Sequence, residues 1–126
     1  MNIRSAFASF SVDDLDAARA FYGGKLGLEV RETPMGVIEV MIGADQHVTI
    51  YPKPNHEPAT FTSLNFIVPD IDEAVDSLVA DGIKMEMYDM PGMNQDAKGI
   101  ARDPQGPAIA WFKDPAGNTL AVISEG

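Results

Sequence analysis

The sequence predicts an α+β fold in which two βαβββ modules form a curled mixed sheet with a shared cleft, the helices lying on the outer face. Three observations predict it. First, a stretch occurs twice: Phe10-Ser-Val-Asp-Asp-Leu-Asp-Ala-Ala18 and Phe66-Ile-Val-Pro-Asp-Ile-Asp-Glu-Ala74, an offset of 66 − 10 = 56. Phe, Val, two Asp and Ala recur at matched places, and Gly27-Leu28 answers Gly82-Ile83 once one residue is dropped. Repeats of this kind set the architecture before any single element is read. Second, each copy passes from strand-like alternation to a helical period. Third, each copy ends in two strand-like runs joined by a turn sequence.

The elements follow in order. Residues 3–12 alternate as a strand, with Ala6, Ala8, Phe10 and Val12 on one face and Ser5, Phe7, Ser9 and Ser11 on the other. Asp13 or Asp14 caps a helix to about Tyr22, which Gly23-Gly24 stops. Leu28–Glu32, Val37–Ile42 and His47–Tyr51 read as strands, the last two joined by Gly43-Ala44-Asp45-Gln46. A proline-bearing linker of about 53–59 separates modules of about 1–52 and 60–126 within a single domain, 1–126.

The second module opens with a strand at Thr62–Val68. Asp70 with Glu73 is the Asp form of a capping box. Ile71, Ala74, Val75, Leu78 and Val79 then fall on one helical stripe. Ile83–Tyr88 reads as a strand and 89–107 as a long loop without a period. Ala108–Lys113 and Thr119–Ile123 close the module through the turn Asp114-Pro115-Ala116-Gly117.

Composition bounds the function. A 126-residue chain with 45% apolar residues holds a core without staples. A net charge of −10 argues against nucleic acid and anionic membranes as partners. No cysteine means no thiolate chemistry and no Cys-held metal. No run reaches membrane-spanning length, so a cytoplasmic protein is expected.

Val12-Asp-Asp-Leu-Asp16, followed by Ala20-Phe-Tyr22 and Leu26-Gly-Leu-Glu-Val30, and the closing Trp111-Phe-Lys-Asp-Pro-Ala-Gly-Asn118 resemble the vicinal oxygen chelate superfamily. That group contains glyoxalase I, extradiol dioxygenases, fosfomycin-resistance enzymes and bleomycin-resistance proteins. The resemblance covers nearly the whole chain. It implies a divalent metal held by His, Gln or Glu on the first and last strands of each module. Carried onto this sequence, those places hold Phe7, Thr49, Ser63 and Ala121. None is a usual ligand for such an ion. The chain therefore resembles the metal-free binding branch, which implies a homodimer, no cofactor and a small amphipathic or aromatic ligand. The alternative is an enzyme of the same superfamily, a lyase, isomerase or dioxygenase with one divalent metal ion on relocated ligands. A third possibility is a non-catalytic interaction module with an exposed apolar patch.

The expected ligand-binding positions are Phe7, Ser9, Thr49, Tyr51, Ser63, Asn65, Trp111 and Ala121, with no metal ligands. Trp111 is the sole tryptophan and offers a flat face to a planar ligand, or else packs in the closing hairpin. Candidate catalytic residues are Glu39 and His47. A two-residue turn at Ala44-Asp45 pairs Glu39 with Ile50 and sets the two apart; an odd loop pairs it with Thr49 or Tyr51 and sets them together. The sequence leaves both open, and a pocket-lining or exposed imidazole is the plainer expectation. His56 reads as a solvated loop histidine. Met90, Met93, Gln95, Lys98 and Arg102 suggest a rim or lid, the two cations being available to an anionic group.

Overall fold

The structure is a computed structural model that describes residues 1–88, 91–104 and 106–124. Met90, one of the expected rim methionines, lies outside them. The chain forms two compact units, Met1–Pro58 and Ala59–Gly126.

The first unit is a four-stranded mixed sheet in the order β1-β4-β3-β2. Its strands are β1 (Ala8–Val12), β2 (Val30–Glu32), β3 (Ile38–Met41) and β4 (His47–Pro52). β1 runs parallel to β4, and the other pairs are antiparallel. Alternation divides the sheet: Val12, Ile38, Val40, Val48 and Ile50 are buried, while their neighbours are at most half-buried. The buried side packs against a helix. Asp14 caps it, accepting the Ala17 N–H, and α1 spans Leu15–Arg19. Tyr22, fully buried, sets its ring 6.2 Å from Phe10 and edge-on to Phe21.

Two expectations need correction here. β1 starts at Ala8, so residues 3–7 are not strand. Gly23-Gly24 does not stop the helix, which continues as a π-helical segment over Ala20–Lys25. The Leu26 N–H reaches back to the Phe21 carbonyl at 2.9 Å. Glycine at position 23 serves close packing: a Cβ there would meet Val30 Cγ2 at 3.3 Å. The chain turns out only at Gly27, whose φ of +71 favours glycine.

The second unit repeats the plan. β5 (Thr62–Ile67) runs parallel to β7 (Thr119–Ser124), and β6 (Ala108–Lys113) runs antiparallel to it. In both units the first strand therefore lies parallel to the last. The cap repeats too: Asp70 accepts the Glu73 N–H, with φ −139 and ψ 109 against −136 and 108 at Asp14. α2 (Ile71–Ala80) buries Ile71, Val75 and Leu78, each contributing about 1.5–3 kcal/mol. Val79, expected on the buried stripe, is 55% exposed.

Ile83–Tyr88 is not a strand. Among the described residues its sheet contact is one bridge, Met85 to Phe112, carried by the Glu86 N–H on the Trp111 carbonyl at 2.8 Å. The reason is Gln95. Its side chain takes the Tyr88 N–H at 2.7 Å and donates to the carbonyls of Glu86 at 2.9 Å and Gly99 at 2.8 Å. An amide side chain thus satisfies backbone groups that a neighbouring strand would otherwise serve. The closing turn matches its sequence reading: buried Asp114 accepts the N–H groups of Ala116 and Asn118 through Oδ1.

Candidate functional site

The first unit gathers six of the expected residues on the face of its sheet away from α1. Ser9 lies beside Thr49 in the β1–β4 register, and Ser11 beside Tyr51. Across the β3–β4 pair, Glu39 is opposite Thr49 and Met41 opposite His47. The hairpin loop is odd, closed by the Ile42 N–H on the Gln46 carbonyl at 2.8 Å. Of the two pairings left open by the sequence, it is the one that unites Glu39 and His47. Their side chains approach to 3.9 Å, Oε2 to Nε2. Phe7, just ahead of β1 and 63% exposed, stacks on the His47 ring at 4.8 Å.

His56 departs from its reading as a solvated loop residue. It is half-buried and its Nδ1 lies 2.6 Å from Ser11 Oγ.

In the second unit, Trp111 pairs with Ala121, and Asn65 lies beside Ala121 on the other side. Asn65 is exposed, whereas Ala121 is fully buried. Ser63 falls at an irregularity: the register shifts between Thr62 and Leu64, so Thr62 takes the place opposite Thr119. A cavity of about 210 Å³ opens there, lined by Thr60, Phe61, Thr62, Tyr88, Met93, Trp111 and Thr119. Tyr88 meets Trp111 edge to face at 5.5 Å. Burial first, and then the Glu86 carboxylate, push the Tyr88 phenol above its ordinary value of 10.0. A second cavity, about 390 Å³, shares Met93 and Trp111 and extends toward Asn94, Arg102 and Ile109. Trp111 therefore lines both hollows. Sequence reading missed Thr60, Phe61, Thr62, Tyr88 and Thr119. The alternation of β5 pointed to Ser63, and a one-residue bulge carries no local signature in this stretch.

Lys98 and Arg102 are not free cations but are engaged by carboxylates of α2. Lys98 Nζ contacts Asp76 at 2.9 Å and Asp72 at 3.1 Å, and Arg102 contacts Asp72 at 2.9 Å. Arg102 first and Lys98 second hold the Asp72 carboxyl below its ordinary value, while Asp76 and Asp72 push Lys98 up. These pairs fasten residues 96–102 to the start of α2.

The four positions to which the resemblance assigns a divalent metal can be read from the sequence. Phe7, Thr49, Ser63 and Ala121 offer no imidazole or carboxylate. Among the described residues no three His, Cys, Asp or Glu converge on a cation site. Glu39 and His47 make only a pair.

Three comparisons bear on this arrangement. A family model described as Glyoxalase/Bleomycin resistance protein/Dioxygenase superfamily matches residues 5–122. No curated protein matches. Among solved structures, the chain is similar to lactoylglutathione lyase from Agrobacterium tumefaciens, at 25% identity and a TM-score of 0.68, covering 98% of this chain and 95% of that one. It is similar to the fosfomycin resistance protein FosX from Listeria monocytogenes, at 16% identity and a TM-score of 0.73, covering 100% and 96%. It is also similar to TnmS3, an antibiotic-binding protein from Streptomyces sp. CB03234, at 22% identity and a TM-score of 0.70, covering 100% and 99%.

Proposed function

The chain belongs to the Glyoxalase/Bleomycin resistance protein/Dioxygenase superfamily, and on that premise we propose that it binds a small amphipathic or aromatic molecule against Trp111, without metal and without catalysis. The observation that carries this reading is the pair of hollows that Trp111 lines, one of them walled also by Tyr88, Phe61 and three threonines. An apolar wall with a few convergent polar groups is what small-ligand sites need. A tryptophan face and an edge-on tyrosine suit a flat ring system. The side chains at the positions where the resemblance puts the metal include no imidazole or carboxylate, which supports binding over metal-assisted chemistry.

The same reading includes a cytoplasmic homodimer, an expectation that rests on the family and on composition. Light scattering tests the dimer. No helix among the described residues is long and apolar enough to cross a membrane.

Because Trp111 is the only tryptophan, its emission reports the site directly. Protein purified without chelator is titrated with planar aromatic amphiphiles, antibiotics of that shape first, given the antibiotic-binding neighbour. Saturable quenching with sub-stoichiometric divalent metal is expected. Stoichiometric metal in that preparation overturns the metal-free reading.

One observation favours a second reading, an enzyme: Glu39 and His47 share a face at 3.9 Å. A carboxylate so placed is a candidate general base. If Glu39→Ala and His47→Ala leave turnover unchanged in any activity found, this reading fails.

A further inference from the structure

The apolar stripe of α2 does not end where its packing ends. Val75 is buried against the sheet, but Val79, one turn on, is 55% exposed. Next to it the chain doubles back, with Ile83 N–H bonded to the Leu78 carbonyl at 3.0 Å, and runs out through Met85 to Met87. Met87 is 60% exposed. The third wall is the loop at Ala97 and Lys98. Gly99 comes so close that a Cβ there would meet the Glu86 carbonyl at 3.3 Å and Met87 Sδ at 3.5 Å. Between these walls lies a cavity of about 490 Å³. Met85 bridges to Phe112, whose side chain is on the opposite face of β6 from Trp111. The cavity is thus separate from the hollows at Trp111.

Its chemistry is specific. The apolar lining is Val75, Val79, Ile83, Met85 and Met87, two of them flexible thioethers that adapt to an irregular apolar body. The rim carries Lys84, Lys98 and Asp76. Asp76 is spent on Lys98, at 2.9 Å. Lys84 is exposed and makes no ion pair among the described residues. In a molecule of net charge −10, Lys84 gives this apolar hollow a cation that makes no ion pair among the described residues. A cation with a long aliphatic stem, beside exposed Val and Met, suits a ligand with a tail and an anionic head. A cavity of this size falls in the range that takes small molecules.

We propose that this cavity is a second ligand site of the second unit, taking an amphipathic anion: the alkyl or aryl body against Val79, Met85 and Met87, the carboxylate or sulfonate on Lys84. The site does not depend on what binds at Trp111.

Decanoate, decanol and decyltrimethylammonium, each below its self-association concentration, are titrated into the full chain by calorimetry. Decanoate binds with a saturable 1:1 isotherm, and the alcohol and the ammonium bind more weakly. Met87→Glu weakens decanoate by about tenfold or more, from the lost apolar burial. Lys84→Glu weakens it by about fivefold and removes the preference over decanol. Both residues are exposed, so neither substitution opens the core. Trp111→Phe leaves decanoate binding unchanged, which separates this site from the one at Trp111. No decanoate binding, equal binding of the ammonium, indifference to Met87→Glu, or loss in Trp111→Phe would each overturn the proposal.

Discussion

Glu39 Oε2 stands 3.9 Å from His47 Nε2, on one face of the first sheet, because Glu39 and Thr49 are register partners. That gap exceeds hydrogen-bond length. The pair is adjacent without being joined. Glu39→Gln should therefore change the unfolding free energy by less than about 1 kcal/mol. Phe7→Ala, which removes the ring stacked on His47, should cost about 1 kcal/mol despite the exposure of Phe7. Urea unfolding measures both. A loss of several kcal/mol in Glu39→Gln would mean the carboxylate is more tightly engaged than this geometry gives.

The repeated caps make a paired test. Asp14 and Asp70 each accept one N–H at 3.1 Å, from Ala17 and Glu73. Asp14→Ala and Asp70→Ala should each cost about 1 kcal/mol. The caps belong to different units and share no partner, so the double variant should show the sum within about 0.5 kcal/mol. Thermal or urea unfolding of the two single variants and the double variant checks it. Strong non-additivity would show that the helix starts are coupled.

Acid should loosen the second unit through Asp72. Its carboxyl is held below the ordinary value of 3.8, chiefly by the bond from Arg102 and then by that from Lys98. A group depressed in the folded state stabilises above its unfolded value and loses that contribution as pH falls through the folded value. The loss should therefore begin below about pH 3.8. Asp72→Asn should flatten the stability profile in that window and leave the slope above it alone. Salt should shrink the difference between the two proteins, since all these groups are exposed to solvent. Acid titrations at low and high ionic strength read it out.

Much of the fold was legible because it rests on local rules. Asp-x-x-Glu before an apolar stripe marks a helix start whatever surrounds it, and α2 spans Ile71–Ala80 as its period requires. The matched stretches at Phe10 and Phe66 announce the duplication, and both modules do place the first strand parallel to the last. What failed was set by partners distant in sequence. Gly23-Gly24 looks like a stop, but Gly23 lies where a Cβ would crowd Val30 Cγ2 at 3.3 Å, and the backbone continues as a π-helix. The site was half legible for the same reason. Alternation grouped Phe7, Ser9 and Ser11 on one face, and the resemblance, not a period, singled out Thr49, Trp111 and Ala121. The bulge after Thr62 puts Thr62, not Ser63, opposite Thr119 in the wall of the hollow at Trp111. Lys98 and Arg102 looked like free cations only because Asp72 and Asp76 are 22 to 30 residues away in sequence.

Gln95 gives the strongest single prediction. One half-buried amide serves the Tyr88 N–H, the Glu86 carbonyl and the Gly99 carbonyl, all within 2.9 Å. Gln95→Ala leaves three backbone groups without that partner and should cost about 2 kcal/mol. Gln95→Glu is the sharper probe. It keeps an acceptor for the Tyr88 N–H but turns the donor toward Glu86 and Gly99 into a second carboxylate oxygen. Two carbonyls would then face an anion, so the Glu variant should be less stable than the Ala variant near neutral pH and recover as acid protonates it. Because Tyr88 lies edge-on to Trp111, the same variants should shift the tryptophan emission. Unfolding curves at several pH values, followed by that emission, test the order. A Gln95→Glu variant as stable as the parent at neutral pH would show that residues 83–88 do not depend on this clamp.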